Sequence, residues 1–353
     1  TAAPKALLEA REEYFKLLET GFYAPIGPSA LYLLRIRAPY KAERYALGGL
    51  LETAEYAGEE GLIRPHEGTR KSLEVTQRAL FLDRGAIIKP ILLTCPAAPE
   101  FYRALSEAAA TIGQPALLYQ EEQQTYELFL LTENEQLLLF SNLLAVVPRP
   151  IAVADGHHRI LTAQHLAQDG YPAFARIPAF LMSADSLSIE AYVRSIKCAE
   201  QQQPEQVWVA LKQFFYIEPQ PRATAPTGPG QWLLFHQGQA YQLKGKPEPG
   251  QFDAVWFNDR VLPEVFGIHD SSRDPRIHSV DAGEALSGIR KKAQQQPASF
   301  HFQGFPLTMD EFFSCVRAKK LLPPKSTRFF PRIPSGMMVY PCVGLTVEEK
   351  TQG

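Results

Sequence analysis

Four cysteines in 353 residues are few, and Cys95, Cys198, Cys315 and Cys342 stand far apart, with no C-x-x-C pair and no histidine at metal-ligand spacing. That excludes a disulfide framework and a structural zinc site, and the four read as reduced, buried thiols. Long apolar runs are missing too. No stretch approaches the ~20 residues that cross a bilayer, and the N-terminus lacks the basic-then-apolar order of a signal peptide. A cytoplasmic protein without a membrane partner is expected. Excess charge of either sign is absent: 36 Lys and Arg stand against 38 Asp and Glu, a formal charge of −2. Such a chain has no overall field to attract a polyanion, which argues against extended nucleic-acid binding. Neither G-x-x-x-x-G-K-[ST] nor G-x-G-x-x-G occurs, so the two commonest nucleotide cradles are excluded. No internal repeat is found, and oligomeric state is left open.

What is present is the balance of a folded globular protein, with 45% hydrophobic and 21% charged residues. The length suits roughly two domains. Residues 4–20 carry apolar side chains at helical spacing; after the Gly21–Pro28 break, 31–37 and 45–54 read as strands, the second running into a Gly-flanked loop. A helix is expected over 72–84, a buried strand over 87–94, a Pro-started helix over 99–112, and strands over 116–120 and 126–131. The clearest unit is an apolar strand Ile151–Ala154, the turn Asp155-Gly156, a helix from His157 to about Gln168 stopped by Gly170, and a strand Ile177–Met182. From about 201 to 229 the composition turns to Gln, Pro, Ala and Thr, which reads as a flexible connection ending in an exposed loop. Beyond it, strands at 231–236, 240–243 and 298–303 and helices near 282–295 and 308–319 are expected. The fold class is α/β of the α+β kind, with a core over 1–200 that carries an inserted α/β segment near 96–149, and a C-terminal α+β subdomain over 201–353.

Three segments hold unusual densities of chemistry. In Ala154-Asp155-Gly156-His157-His158-Arg159, a carboxylate ends a buried strand and a helix opens at once. The free N–H groups of the first turn, the helix dipole and Arg159 together suit a phosphate. The alternative is that Asp155 merely caps the helix and the basic residues decorate a solvated turn. In Leu62-Ile63-Arg64-Pro65-His66-Glu67-Gly68-Thr69-Arg70, a carboxylate sits beside cations, which keep it ionised as a general base must be; a charged surface loop would have the same composition. In Pro324-Lys325-Ser326-Thr327-Arg328, cations flank two hydroxyls, a set that suits a carboxylate or phosphate guest or simply a basic loop closing the domain.

The three segments, with Lys89-Pro90-Ile91-Leu92-Leu93, stand in one order along the chain. In that order they resemble the free-serine kinases of the ParB and sulfiredoxin superfamily, which carry a Pro-His-Glu loop, a strand beginning Lys-Pro, an Asp-Gly-His-His-Arg turn and a late Pro-Lys-Thr-Thr-Arg loop. The sequence is similar, more closely still, to a widespread bacterial family of unknown function that shares an H-E-x-T loop, an A-D-G-H-H-R turn and a P-K-S-T-x-F-x-P tail, here running through Phe330-Pro331. The likeness spans about Ala30 to Val339 and is strong at the motifs alone; residues 96–149 intervene where the serine kinases have a short connection.

The resemblance implies a ParB/sulfiredoxin-like core and a phosphotransferase acting on free serine, moving a phosphoryl group to and from O-phosphoserine. It implies Glu67 as general base, with His157 and His158 in the catalytic set. Asp155 would orient the substrate hydroxyl or a magnesium ion. Gly156 and Arg159, with His66 and Arg70, would hold the transferred phosphate, and Lys325, Ser326, Thr327 and Arg328 would bind the amino-acid end. The implied cofactor is Mg²⁺ and the donor ATP, ADP or pyrophosphate. A phosphoserine phosphatase using the same groups is the rival, since water can replace the alcohol. A non-catalytic nucleotide-binding protein is the third reading. A ParB-like DNA switch lacks its basic domain, and a sulfiredoxin-like repair enzyme lacks its cysteine, His157 standing in that place.

Overall fold

The computed structural model describes residues 4–25, 30–56, 61–121, 123–245, 251–280 and 286–342. It is an α+β protein that divides into two units, one formed by Thr1–Ser188 with Pro331–Gly353 and the other by Ile189–Phe330.

The first unit holds α1 (Pro4–Glu19), β1 (Leu31–Arg37), β2 (Arg44–Glu52), β3 (Ile63–Arg64), α2 (Lys71–Arg84), β4 (Ala86–Ile87), β5 (Ile91–Cys95), α3 (Pro99–Thr111), β6 (Leu117–Glu121), β7 (Gln124–Leu131), α4 (Asn134–Val146), β8 (Ile151–Asp155), α5 (His157–Gln168) and β9 (Arg176–Ser183). Eight of the strands make one mixed sheet in the order β3-β8-β5-β9-β2-β1-β7-β6. β8 runs parallel to β3 and antiparallel to β5, and β5 runs parallel to β9. A strand covered on both faces is buried along its whole length, as Ile151 to Ala154 and Ile91 to Cys95 are. Helix α5 presents Ile160, Ala163 and Leu166 to the core at three-residue intervals. The segment near 96–149 is no separate lobe: its strand β7 pairs with β1 over seven residues and adds β6 as the sheet's edge.

One expectation is corrected by local chemistry here, and one helix is added to those expected. The strand read over 87–94 is two strands, β4 and β5, because Pro90 cannot donate to a ladder; β4 pairs instead with β18 (Tyr340–Pro341). Helix α4 was not anticipated, since five leucines in thirteen residues leave no polar face to mark a period. The break read over Gly21–Pro28 lies partly outside the described residues, at 26–28.

The second unit follows β10 (Ser188–Glu190) with β11 (Val193–Lys197), α6 (Pro204–Phe214), β12 (Phe215–Gln220), β13 (Gln231–His236), β14 (Gln239–Gly245), α7 (Asp253–Trp256), α8 (Leu262–Phe266), β15 (Ile277–Val280), α9 (Leu286–Gln295), β16 (Ser299–Gly304), α10 (Met309–Arg317) and β17 (Arg328–Phe330). Its six-stranded sheet is antiparallel, in the order β12-β14-β13-β16-β11-β15. One face packs on α6 and the 253–266 segment around Leu211, Trp232, Phe257 and Phe300, the other on α9 around Leu233, Phe235 and Ile289.

The connection read as flexible over 201–229 is largely ordered into α6 and β12. Composition misled because the apolar side chains are sparse yet correctly spaced: Val207, Leu211 and Phe214 share one buried face. Pro204 opens the helix, and the Gln206 side chain accepts from the Gln203 N–H. Of the helix expected near 282–295, α9 covers 286–295, and 282–285 lie outside the described residues.

Candidate active site

Because β3 and β8 are parallel neighbours, pairing Ile63 with Ile151 and Arg64 with Ala152, the chain leaves both strands at the same end of the sheet. The antiparallel β5 enters at that end, with Leu92 opposite Asp155. Three sequence segments therefore converge there: the Pro65–Arg70 loop, the Asp155–Arg159 turn and Lys89-Pro90.

Gly156 makes the turn. Its φ is +107°, and a Cβ there would stand 2.7 Å from Arg159 Nη2 and 2.7 Å from Ile91 Cγ2, so a side chain is excluded by both conformation and space. Gly156 also occupies the cap position of α5, with no side chain capping the helix. The alternative that Asp155 serves as the N-cap is thereby set aside. Asp155 instead accepts from Arg159 Nη2 at 2.6 Å and lies 3.7 Å from Lys89 Nζ. Arg159 also donates to the Pro90 carbonyl at 3.4 Å.

Burial alone would raise the Asp155 carboxyl, but Arg159 and Lys89, with Arg332 behind them, outweigh it and hold the group well below the usual carboxylate range. Lys89 moves the other way from a simple ion pair: burial, with help from Arg159 and Arg332, lowers its ammonium despite the attraction of Asp155. One carboxylate thus stands among three cations, and the centre carries surplus positive charge.

That donor set does not fit a protein-held magnesium ion. Mg²⁺ needs hard oxygen ligands in octahedral array, and among the described residues no group of three or more His, Cys, Asp or Glu side chains is placed to hold a metal. At Asp155 Oδ2 the neighbours are a guanidinium and an ammonium.

The loop is fastened by imidazoles. His66, 1% exposed, donates from Nδ1 to the Val153 carbonyl at 2.7 Å, and burial lowers its pKa to about 4. The His66 N–H donates to His157 Nε2 at 3.4 Å, the two rings meeting edge to face with centroids 4.5 Å apart. Arg70 donates its backbone N–H to His158 Nε2 at 2.8 Å. Burial, then the nearby His66, hold His157 well below the ordinary histidine value. Glu67 follows His66 directly and is half-buried.

The late loop belongs to the second unit. Lys325 is exposed, has the positive φ of 61° that a non-glycine residue rarely takes, and sets Nζ 5.0 Å from the centre of the Tyr192 ring. The Ser326 hydroxyl donates to the Pro323 carbonyl at 2.7 Å, Thr327 is buried, and Arg328 pairs with Glu190.

Of the residues expected from sequence, the first unit brings His66, Glu67, Arg70, Asp155, Gly156, His157, His158 and Arg159 to one end of its sheet. Lys89 and Arg332 were not assigned there. Lys89 was visible as the first residue of the Lys-Pro strand; Arg332 had no signal beyond following Pro331.

The model of a family described as "Protein of unknown function (DUF1015)" matches residues 2–269, a span that ends before the late loop. No curated protein matches the chain. Among solved structures, "Free serine kinase in complex with AMP" is similar at 15% identity, covering 82% of this chain and 89% of that one with a TM-score of 0.44. "SbnI with C-terminal truncation from Staphylococcus aureus" is similar at 14% identity over 82% and 85% of the two chains, with a TM-score of 0.45. A "Conserved hypothetical protein from Pyrococcus furiosus" gives 14% identity over 82% and 93%, with a TM-score of 0.44. At those values the likenesses transfer no activity to this chain.

Proposed function

The chain belongs to the family described as "Protein of unknown function (DUF1015)"; we propose from its own residues that it is a phosphotransferase, and from the motif resemblance that its acceptor is the hydroxyl of free serine. The observation that carries the reading is the convergence at one sheet end of a carboxylate loop, Glu67, and a glycine turn in which a single carboxylate is outnumbered by Arg159, Lys89 and Arg332. Phosphoryl transfer asks for a positioned oxygen nucleophile, a base and cationic donors around charged oxygens, with little covalent work by the protein.

In this reading the Glu67 carboxylate takes the proton of the serine hydroxyl. A bond forms from the serine oxygen to the transferred phosphorus as the bond to the donor's bridging oxygen breaks. The first-turn N–H groups of α5, Arg159 and Lys89 hold the phosphoryl oxygens. Asp155 keeps Arg159 and Lys89 aimed. A magnesium ion that arrives on the donor's phosphates is part of the substrate, and no step is assigned to one held by the protein. The late loop, Lys325 to Arg328, is assigned the amino-acid end on the motif resemblance.

The test is incubation of the purified protein with serine, O-phosphoserine and a panel of ATP, ADP and pyrophosphate, read by mass spectrometry. Phosphoserine formed from serine supports the reading; release of phosphate from phosphoserine to water without any transfer to an alcohol assigns the phosphatase instead. Glu67→Gln should lower the transfer rate on the order of 10²–10⁴-fold with the fold intact. A rate within a few-fold of the parent removes Glu67 from the mechanism. Lys325→Met should raise KM for serine or phosphoserine far more than KM for the donor, since a charge-assisted contact to a small anion contributes about 1.5–3 kcal/mol. Equal KM values for parent and variant would detach the late loop from the reaction.

A further inference from the structure

We propose that His157 and His158 are positioning residues that clasp the Glu67 loop to the α5 turn, and that neither acts as an acid or base on the substrate. The inference concerns the proposed phosphotransfer site and rests on that reading for its catalytic consequence, though not for the clasp itself.

Both imidazoles use Nε2 in the same way. His158 Nε2 accepts the backbone N–H of Arg70 at 2.8 Å, and His157 Nε2 accepts the backbone N–H of His66 at 3.4 Å. A ring nitrogen that accepts carries no proton, so each ring is neutral with its proton on Nδ1. A general acid would need the doubly protonated ring, which an accepting Nε2 rules out, and a general base would need that lone pair for the substrate. Here the lone pairs are spent on the main chain of the loop. The two accepted donors bracket Glu67, one on the residue before it and one three residues after. His66 adds a third tie, donating from Nδ1 to the Val153 carbonyl at 2.7 Å, so the loop is held to both the strand β8 and the helix α5 that follows it.

The arrangement gives a reason for two consecutive histidines at this turn. The first two residues of α5 point toward the loop that follows the parallel neighbour strand β3, and imidazole reaches it with an acceptor while remaining uncharged beside Arg159. A cation at either position would face an N–H donor and a guanidinium together; an aliphatic residue would leave the N–H of Arg70 or His66 without this acceptor. The group each histidine sets is the Glu67 carboxylate, whose distance from the substrate hydroxyl decides the rate.

The test uses the full chain and three variants. In His158→Leu the acceptor is gone; in His158→Gln an oxygen stands near the place of Nε2; His157→Gln is the parallel change on the buried ring. Hydrogen–deuterium exchange of peptides spanning 62–71 reads the clasp without any assumption about activity. His158→Leu should raise exchange there about tenfold, the loss expected for one hydrogen bond, while His158→Gln and His157→Gln stay near the parent. In the transfer assay His158→Leu should lower kcat on the order of 10²-fold with the donor's KM little changed, and His158→Gln should restore most of it. Exchange at 62–71 that is unmoved in His158→Leu overturns the clasp, whatever the protein's activity proves to be. A His158→Gln variant that holds the loop yet is as slow as His158→Leu overturns the positioning role and gives the imidazole a direct one. If the parent shows no phosphotransfer, the proposed function fails, and the exchange result alone decides the clasp.

Discussion

Asp155 is half-buried and His66 buried, and each reaches its native charge state by a different route. Asp155 remains ionised against the effect of burial because Arg159 and Lys89 stand beside it. His66 is kept neutral by burial, which lowers its pKa to about 4 against the opposing effect of its hydrogen bond to the Val153 carbonyl. The second case has a consequence for stability that can be signed. In the unfolded chain a histidine takes up its proton near pH 6.5, whereas folded His66 does so only near 4. Between those values the unfolded state binds more protons, so stability falls as pH falls through that window. At one pKa unit per ~1.4 kcal/mol, His66 should cost about 2 kcal/mol between pH 6.5 and 5, and about 3 kcal/mol by pH 4. His157, lowered in the same direction, adds to it. Denaturant unfolding at pH 7.5 and 5.0 measures this, and His66→Asn, which keeps a side-chain donor for the Val153 carbonyl, should flatten part of the slope. A parent protein equally stable at both pH values would contradict the buried neutral ring.

At the scale of elements, the unit from β8 through α5 to β9 was legible from sequence to within a residue, because each boundary has a chemical cause. An apolar run ends in a charged residue, a glycine takes a positive φ, and the helix stops at Gly170. What could not be read was the neighbour. β3 is two residues long, too short for any period, and its place beside β8 is decided by main-chain pairing that leaves no pattern in the side chains. The convergence of the Glu67 loop and the Asp155 turn is therefore invisible to spacing rules, and only the shared order of motifs hinted at it. Lys89 was visible as the first residue of the Lys-Pro motif but was given no role, because a continuous apolar reading of 87–94 ran over Pro90 and did not place Lys89 at the strand's entrance. In the second unit the 253–266 segment escaped notice because a π-helical stretch, Phe257–Val261, interrupts the 3.6-residue period between α7 and α8. The turn itself offers the sharpest check at this scale. Gly156→Ala must either shift Arg159 and Ile91 or give up its backbone conformation, and a residue forced into a sparsely allowed region costs on the order of 1–3 kcal/mol. The variant should lose stability by that amount and bind pyrophosphate or ADP more weakly by calorimetry. Parent-like stability and binding would mean that the turn has another conformation open to it.

For the molecule as a whole, the near-balance of charge and the surplus of cations at one sheet end belong together. A protein with a formal charge of −2 does not draw long polyanions to its surface, so in the proposed function the anion is selected locally, by the first unit's turn. Each unit has its own sheet and its own core, and compact units of this size commonly unfold as separate cooperative steps. The chain supplies a convenient reporter: Trp208, Trp232 and Trp256, the three tryptophans it has, all lie in the second unit. Tryptophan fluorescence therefore follows the second unit, while far-ultraviolet circular dichroism follows both. A ligand that binds only the folded first unit raises that unit's stability by RT ln(1 + [L]/Kd), about 2.7 kcal/mol at a hundredfold excess over Kd. Pyrophosphate or ADP should accordingly move part of the dichroism-detected transition to higher denaturant and leave the fluorescence-detected transition in place. Lys89→Met should shrink that displacement, since it removes one of the three cations around Asp155. A ligand-dependent shift seen equally by tryptophan would mean that the two cores unfold together, and a shift seen by tryptophan alone would move the anion site to the second unit, away from the Asp155 turn.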